Sequence, residues 1–180
     1  MNERLIQKLK KIKLIISDVD GVLTDGSIYI GSNGEEMKKF SVEDGAGVAL
    51  ARASGLIIAL LSGRFSSATD IRAKELKIED IYNGMLNKIP AYEELKRKYN
   101  LEDSEIVYIG DGLIDIPVME KAGIPVSVKN AHPTAKEIAV YVTDKSGGSG
   151  ALQETIELVL KAQNQYDDAI NKMREKVLNL

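Results

Sequence analysis

Leu14-Ile15-Ile16-Ser17-Asp18-Val19-Asp20-Gly21-Val22-Leu23-Thr24-Asp25-Gly26 is the stretch from which the rest of the chain is read. A short apolar run ends in two carboxylates two residues apart. The run has the length of a buried strand, and strand alternation puts the Asp18 and Asp20 side chains on one side. Gly21 lets the backbone turn away with no Cβ in the way. Two anions at a buried strand end repel each other unless a cation lies between them. A hard divalent ion is the natural cation, because Mg²⁺ takes one or two carboxylates together with substrate phosphate oxygens. The plain alternative is an Asp- and Gly-rich turn that binds nothing, since both residues favour turns.

Downstream, apolar runs alternate with helical patterns. Ser27 to Phe40 reads as a hairpin, with Asn33-Gly34 between two β-capable arms. Val42 to Gly47 looks like the start of a helix whose body is Val48 to Ser54, stopped by Gly55. Leu56 to Leu61 is a continuous apolar run of the kind that suits a parallel strand buried on both faces. It ends in Ser62-Gly63-Arg64, and a helix follows over Ser67 to Leu76. A short strand at Ile81-Tyr82 precedes a helical pattern from Lys88 to Tyr99. Ile106 to Ile109 is a strand closed by Gly110-Asp111-Gly112, and Asp115 to Ala122 reads as a helix with Pro117 in its first turn. Pro125 to Val128, a helix near Thr134 to Ala139, and Tyr141-Val142 complete the alternation. The pattern predicts an α/β fold with a doubly wound parallel sheet and right-handed crossovers. Asp18, Asp20, Ser62, Arg64, Asp111 and Asp115 all follow the carboxyl ends of apolar strands, where open α/β sheets bind ligands. Gly147 to Gly150 reads as a flexible run. Ala151 to Leu180 reads as one long helical stretch, with a stripe through Leu160, Ile170 and Val177 that must be buried somewhere.

Composition narrows the classes. The chain has 180 residues, so one domain, residues 1–180, is the simplest organisation. A net charge of −3 with no long basic block argues against nucleic acid or an anionic membrane surface as partner. The absence of cysteine excludes disulfides and thiolate metal sites and fits a reducing, cytoplasmic setting. Met1 to Lys13 is charged and does not read as a signal peptide. No apolar run approaches the roughly 20 residues of a membrane span.

These residues can carry phosphoryl chemistry. One carboxylate can act as a nucleophile and form an aspartyl-phosphate. The second can protonate the leaving alkoxide and later deprotonate water. Lys88 can shield charge between nucleophile and phosphate, or be a solvated surface lysine. Ser62 can donate to a phosphoryl oxygen, or cap a helix. Arg64 and Arg72 can hold a substrate carboxylate or phosphate, although Arg72 equally suits a solvated helix charge.

Asp18 to Gly26, Ser62-Gly63-Arg64, Lys88, and Gly110 to Asp115 resemble, in order and spacing, the four motifs of haloacid dehalogenase (HAD) superfamily phosphatases. Gly31 to Glu36, Phe40 to Gly45, Pro117 to Gly123, Asn130 to Pro133 and Gly147 to Ala151 are similar to 3-deoxy-D-manno-octulosonate 8-phosphate (KDO 8-phosphate) phosphatases in particular. The resemblance implies a HAD-like, Rossmann-type fold with a β-hairpin insertion and no cap domain. It implies Asp18 as nucleophile and Mg²⁺ ligand, and Asp20 as general acid/base that also binds the metal through its backbone carbonyl. Asp111 would complete the ligands, with Asp115 supporting them. Ser62 and Lys88 would contact the phosphoryl group, and Ser41, Val42, Glu43, Asp44, Gly45, Arg64 and Arg72 would face the sugar acid. It further implies a homotetramer whose subunits close each other's sites, with the Gly-rich tail near an adjoining one, in the pathway that supplies lipopolysaccharide. Three positions depart from the family pattern: Gly112, where a second Asp is common, Ala49 and Gln153, where relatives carry Arg. The alternatives are a phosphatase of a nine-carbon sialic-type acid 9-phosphate and a non-catalytic regulatory subunit that keeps the fold.

Overall fold

The computed structural model describes residues 3–178. Its centre is β1 (Leu14–Ser17), whose four residues are all buried. Around it lie β4 (Ile57–Ser62), β5 (Asp80–Asn83), β6 (Ile106–Gly110), β7 (Ile124–Ser127) and β8 (Tyr141–Val142). The order is β5-β4-β1-β6-β7-β8, and every pairing is parallel. A continuous apolar run such as Ile106 to Ile109 belongs in this setting, because helices cover both faces of the sheet. Helices α1 (Glu3–Leu9), α2 (Val42–Ser54), α7 (Ala151–Ala162) and α8 (Tyr166–Leu178) pack together. A second series, α4 (Ile89–Tyr99), α5 (Ile116–Met119) and α6 (Pro133–Ile138), packs in turn, while α3 (Ser67–Leu76) lies against β5 and α2. The chain runs outward from β1 through β4 to β5, then returns to β6 on the other side of β1. That reversal makes the β1/β6 boundary the topological switch point, where such sheets open a crevice at their carboxyl ends.

The hairpin is smaller than its span suggests. Only Tyr29–Ile30 (β2) and Glu36–Met37 (β3) pair, antiparallel, around a turn in which Gly34 has φ 82°. Helix α2 starts at Val42 rather than Val48. The Ser41 hydroxyl accepts the Glu43 N–H as N-cap, and Gly55 ends the helix at φ 82°. The expected helix over Asp115 to Ala122 is shorter: one tight turn, Leu113–Asp115, leads into the single turn of α5.

Two expectations for the tail are corrected. Ala151 onward is not one helix. The Gln163 side chain turns away to donate to the carbonyls of Leu9 and Ile12, and Asn164 adopts φ 57°. The chain reverses there, and α8 lays Tyr166, Ile170 and Met173 against its own core. Leu160 is fully buried within the chain; the Val177 side chain lies outside the described residues. Gly147 to Gly150 is also not a loose run. The Gly147 N–H donates to Asn130 Oδ1 and the Gly148 N–H to the Val22 carbonyl, at 2.8 and 2.9 Å. A Cβ on Gly147 would stand 1.7 Å from the Gly21 carbonyl oxygen. Glycine is required because two backbone segments touch at that point.

Candidate active site

Asp18 is the first residue past β1, tied to β6 by its N–H on the Ile109 carbonyl. Asp111 is the first residue past β6. Parallel register therefore sets the two carboxylates side by side across the switch point. The turn between them is shaped by Gly21. It has φ 90°, and a Cβ there would come within 2.1 Å of Asp111 Oδ2. The glycine thus serves both the left-handed turn and the room taken by the second carboxylate. Thr24 braces the turn by accepting the N–H groups of Gly21 and Gly26.

Oxygens of Asp18, Asp111 and Asp115 all lie within 4.8 Å of one another. Asp115 is fully buried, and its four bonds use both oxygens. Oδ1 accepts Lys88 Nζ at 2.7 Å and the Tyr108 hydroxyl at 2.5 Å; Oδ2 accepts the N–H groups of Asp111 and Gly112. Asp115 is therefore committed to shaping the loop. Asp18 and Asp111 are the carboxylates with free coordinating capacity. Lys88 sits between Asp18 and Asp115, 2.9 Å from Asp18 Oδ1, and its side chain is fully buried. The surface reading of Lys88 is thereby excluded.

The charges are uneasy without a cation. Burial pushes the Asp18 carboxyl well above the usual range and Asp115 adds to this, against the pull of Lys88 and the Val19 N–H. Burial first, then Asp115, raises Asp111 to about 6. For Lys88 burial disfavours the charge, but Asp18 and Asp115 outweigh it and hold the ammonium above its ordinary value. A hard cation among these oxygens would reverse the penalty on both carboxylates. An all-oxygen donor set fits Mg²⁺.

Asp20 turns away from this cluster. Its carboxylate is gripped by Lys38 Nζ, at 2.7 and 2.9 Å from its two oxygens. Lys38 lies just past β3, and nothing local in the sequence marks it as a site residue. Tyr108 was also missed. Its signal was a lone phenol in an otherwise aliphatic buried strand, which demands a partner. Ser62 is buried at the end of β4, and its hydroxyl donates to the Arg64 carbonyl at 2.8 Å rather than capping α3. The Arg64 guanidinium pairs with Glu36 of the hairpin.

The segment from Ser41 to Gly45 is divided. Val42 is exposed and Glu43 pairs with Lys145 at 2.6 Å. Gly45 lies under Arg72, whose Nη2 donates to the Ser41 carbonyl while Nη1 pairs with Glu75. Arg72 thus braces the start of α2 and is no free surface charge. Asp44 is buried and accepts the Gln153 N–H in the first turn of α7. Among the departures, Gly112 gives its N–H to Asp115, and Gln153 accepts from Lys145.

A parallel sheet with an Asp after its central strand, an opposed Asp after the next, and a buried Lys between carboxylates defines a HAD-type hydrolase. The family model for haloacid dehalogenase-like hydrolase matches residues 56–154. Among curated proteins, 3-deoxy-D-manno-octulosonate 8-phosphate phosphatase KdsC of Escherichia coli K12 is 44% identical over 92% of this chain and 88% of its own. Among solved structures, the Moraxella catarrhalis enzyme of that name, in complex with magnesium, phosphate and KDO, superposes with TM-score 0.91 at 43% identity, covering 95% of this chain and 98% of that one. The cobalt-bound Haemophilus influenzae phosphatase gives TM-score 0.85 at 36% identity, covering 88% and 92%. The chain belongs to the KDO 8-phosphate phosphatase family of HAD hydrolases. Among the described residues no helix is long and apolar enough to cross a membrane.

Proposed function

We propose that the protein hydrolyses KDO 8-phosphate to KDO and phosphate through an aspartyl-phosphate on Asp18. The observation that carries this is the Asp18–Lys88–Asp115 cluster facing Asp111 at the switch point, in a chain that matches KDO 8-phosphate phosphatases over nearly its whole length. The Asp18 carboxylate attacks phosphorus, and the bond from phosphorus to the sugar oxygen breaks. Asp20 gives its proton to that oxygen. Asp20 then takes a proton from water, which attacks the aspartyl-phosphate and releases phosphate. Lys88 keeps the nucleophile oriented and offsets the charge of the incoming phosphoryl group. The Ser62 hydroxyl would exchange the Arg64 carbonyl for a phosphoryl oxygen.

The Asp18 and Asp111 carboxylates and the Asp20 carbonyl would hold Mg²⁺. Bound there, the ion supplies neutralisation of phosphoryl charge and in-line orientation. Arg64, with Ser41 to Gly45 and Arg72 behind it, would meet the sugar acid.

The finer reading is a single-domain, cytoplasmic enzyme of lipopolysaccharide precursor synthesis that works as a homotetramer. Support for assembly comes from the hairpin, which exposes Ile28, Tyr29, Ile30 and Met37 together. The test is phosphate release from a sugar-phosphate panel with Mg²⁺, with light-scattering mass measured on the same sample. KDO 8-phosphate should be the best substrate and the mass that of four chains. Preference for a nine-carbon sialic-type acid 9-phosphate would move the assignment to the sister activity. No turnover of any sugar phosphate would refute it.

A further inference from the structure

The hairpin does more than offer an apolar edge. Lys38, immediately after β3, crosses to the loop after β1 and places its ammonium against both oxygens of Asp20, at 2.7 and 2.9 Å. A third hydrogen bond, of 3.3 Å, goes to the Thr69 hydroxyl on α3. An ammonium has three donors, so this one is fully used. The Lys38 side chain is 2% exposed, against 30% for Asp20. A lysine loses several rotatable bonds' worth of freedom on such burial, and the charge tolerates it only because a carboxylate is waiting.

The asymmetry matters for Asp20. Among the described residues Lys38 is the one group hydrogen-bonded to its carboxylate. Asp18, by contrast, is held by Lys88 and by the Val19 N–H. Without Lys38, Asp20 would be a part-exposed side chain free to leave its rotamer. The hairpin is itself anchored to the same end of the sheet by the ion pair from Glu36 to Arg64. The second arm of the hairpin is therefore tied at two points: to the loop after β4 through Glu36, and to the loop after β1 through Lys38 just beyond it.

We propose that Lys38 is a positioning residue of the hydrolytic reaction: its two-pronged contact fixes the Asp20 carboxyl where it can reach the leaving oxygen, which makes the hairpin part of the proton-transfer apparatus. The proposal rests on Asp20 being the group that protonates the leaving oxygen. A misplacement of about 1 Å in such a group costs on the order of 10²-fold in rate.

The test varies the leaving group. A sugar or alkyl phosphate expels a strongly basic alkoxide that needs the proton. 4-Nitrophenyl phosphate expels a weakly basic phenolate that does not. Lys38→Met should lower kcat/KM on the sugar phosphate by about 10²-fold. On 4-nitrophenyl phosphate the loss of kcat/KM, which reports the steps through formation of the aspartyl-phosphate and not its hydrolysis, should stay within about threefold, because that leaving group needs no proton. Lys38→Arg, which keeps a fork-shaped donor pair, should recover part of the lost rate. In the Asp20→Asn background Lys38→Met should cost nothing more. Should the Met variant fail to fold, Lys38→Gln, which keeps only a neutral donor toward Asp20, should show a smaller loss confined to the sugar phosphate. Equal losses of kcat/KM on the two substrates, or additive losses in the double variant, would overturn the proposal. A wild-type enzyme that ignores KDO 8-phosphate but cleaves another alkyl phosphate would refute the assigned substrate instead, and the leaving-group comparison would then run on that ester.

Discussion

Two lysines grip three aspartates at this end of the sheet, and they come from unlike parts of the molecule. Lys88 enters at the start of α4 and closes on Asp18 and Asp115, which follow the adjacent central strands β1 and β6. All three side chains are buried at the ends of the central strands. Lys38 comes from a hairpin with two paired residues in each strand, and an isolated ribbon of that size is marginal in water. Its hold on Asp20 depends on the ties to Thr69 and, through Glu36, to Arg64. In the proposed mechanism the covalent half of the chemistry is thus built into the core, and the proton-transfer half is assembled by a surface element.

The difference can be broken at its strongest point first. Lys88→Met leaves Asp18 and Asp115 buried without their cation, a change that costs about 3–5 kcal/mol. Urea unfolding should show that loss, with hydrolysis abolished even where the variant remains folded. A midpoint near wild type would mean the triad is not the buried charge cluster described here.

A carboxylate with no lysine in hydrogen-bond contact sharpens the contrast. Asp44 accepts backbone N–H from α7, and its carboxyl is raised from 3.8 to about 6, chiefly by burial. A folded-state value above the unfolded one means the protonated group adds stability below about pH 4, and the benefit is lost as pH rises through about 6. Over that window the shift corresponds to at most about 3 kcal/mol. Asp44→Asn should remove that part of the pH dependence, so melting temperatures from pH 4 to pH 7 should run flatter than wild type. Parallel curves would contradict it.

The smallest effect is expected at Tyr108. Tyr108→Phe removes one donor from Asp115 while Lys88 and two N–H groups remain. About 1–2 kcal/mol of stability should go, with kcat reduced by less than about tenfold because Lys88 still holds Asp18. A loss of kcat well beyond tenfold would place the Tyr108 contact on a level with Lys88 and contradict that ranking.

Much of this arrangement was legible because parallel sheets write their binding edge into the sequence. Each apolar run of four to six residues ended in the polar group that the structure places at the carboxyl end of a strand. Gly55 and Asn33-Gly34 marked a helix stop and a turn by backbone requirements that need no tertiary context. Contacts made across the fold were not legible. Lys38 finds Asp20 only because the hairpin folds back over the sheet end. Asp44 meets the first turn of α7, a contact that its place beside Ser41 and Glu43 in the sequence does not announce. The break at Gln163 answers to the carbonyls of Leu9 and Ile12, some 150 residues away in sequence. The glycines at 147 to 150 looked like freedom and serve close backbone contact.

Phosphate release from KDO 8-phosphate by the wild-type enzyme and by Asp18→Asn, with Mg²⁺ and after exhaustive chelation, tests the central claim most directly. Asp18→Asn preserves volume, so the fold should stand while the proposed nucleophile is gone. The account predicts turnover only in the wild type and only with the metal. Turnover near the wild-type rate in Asp18→Asn, or full activity after chelation, would contradict it.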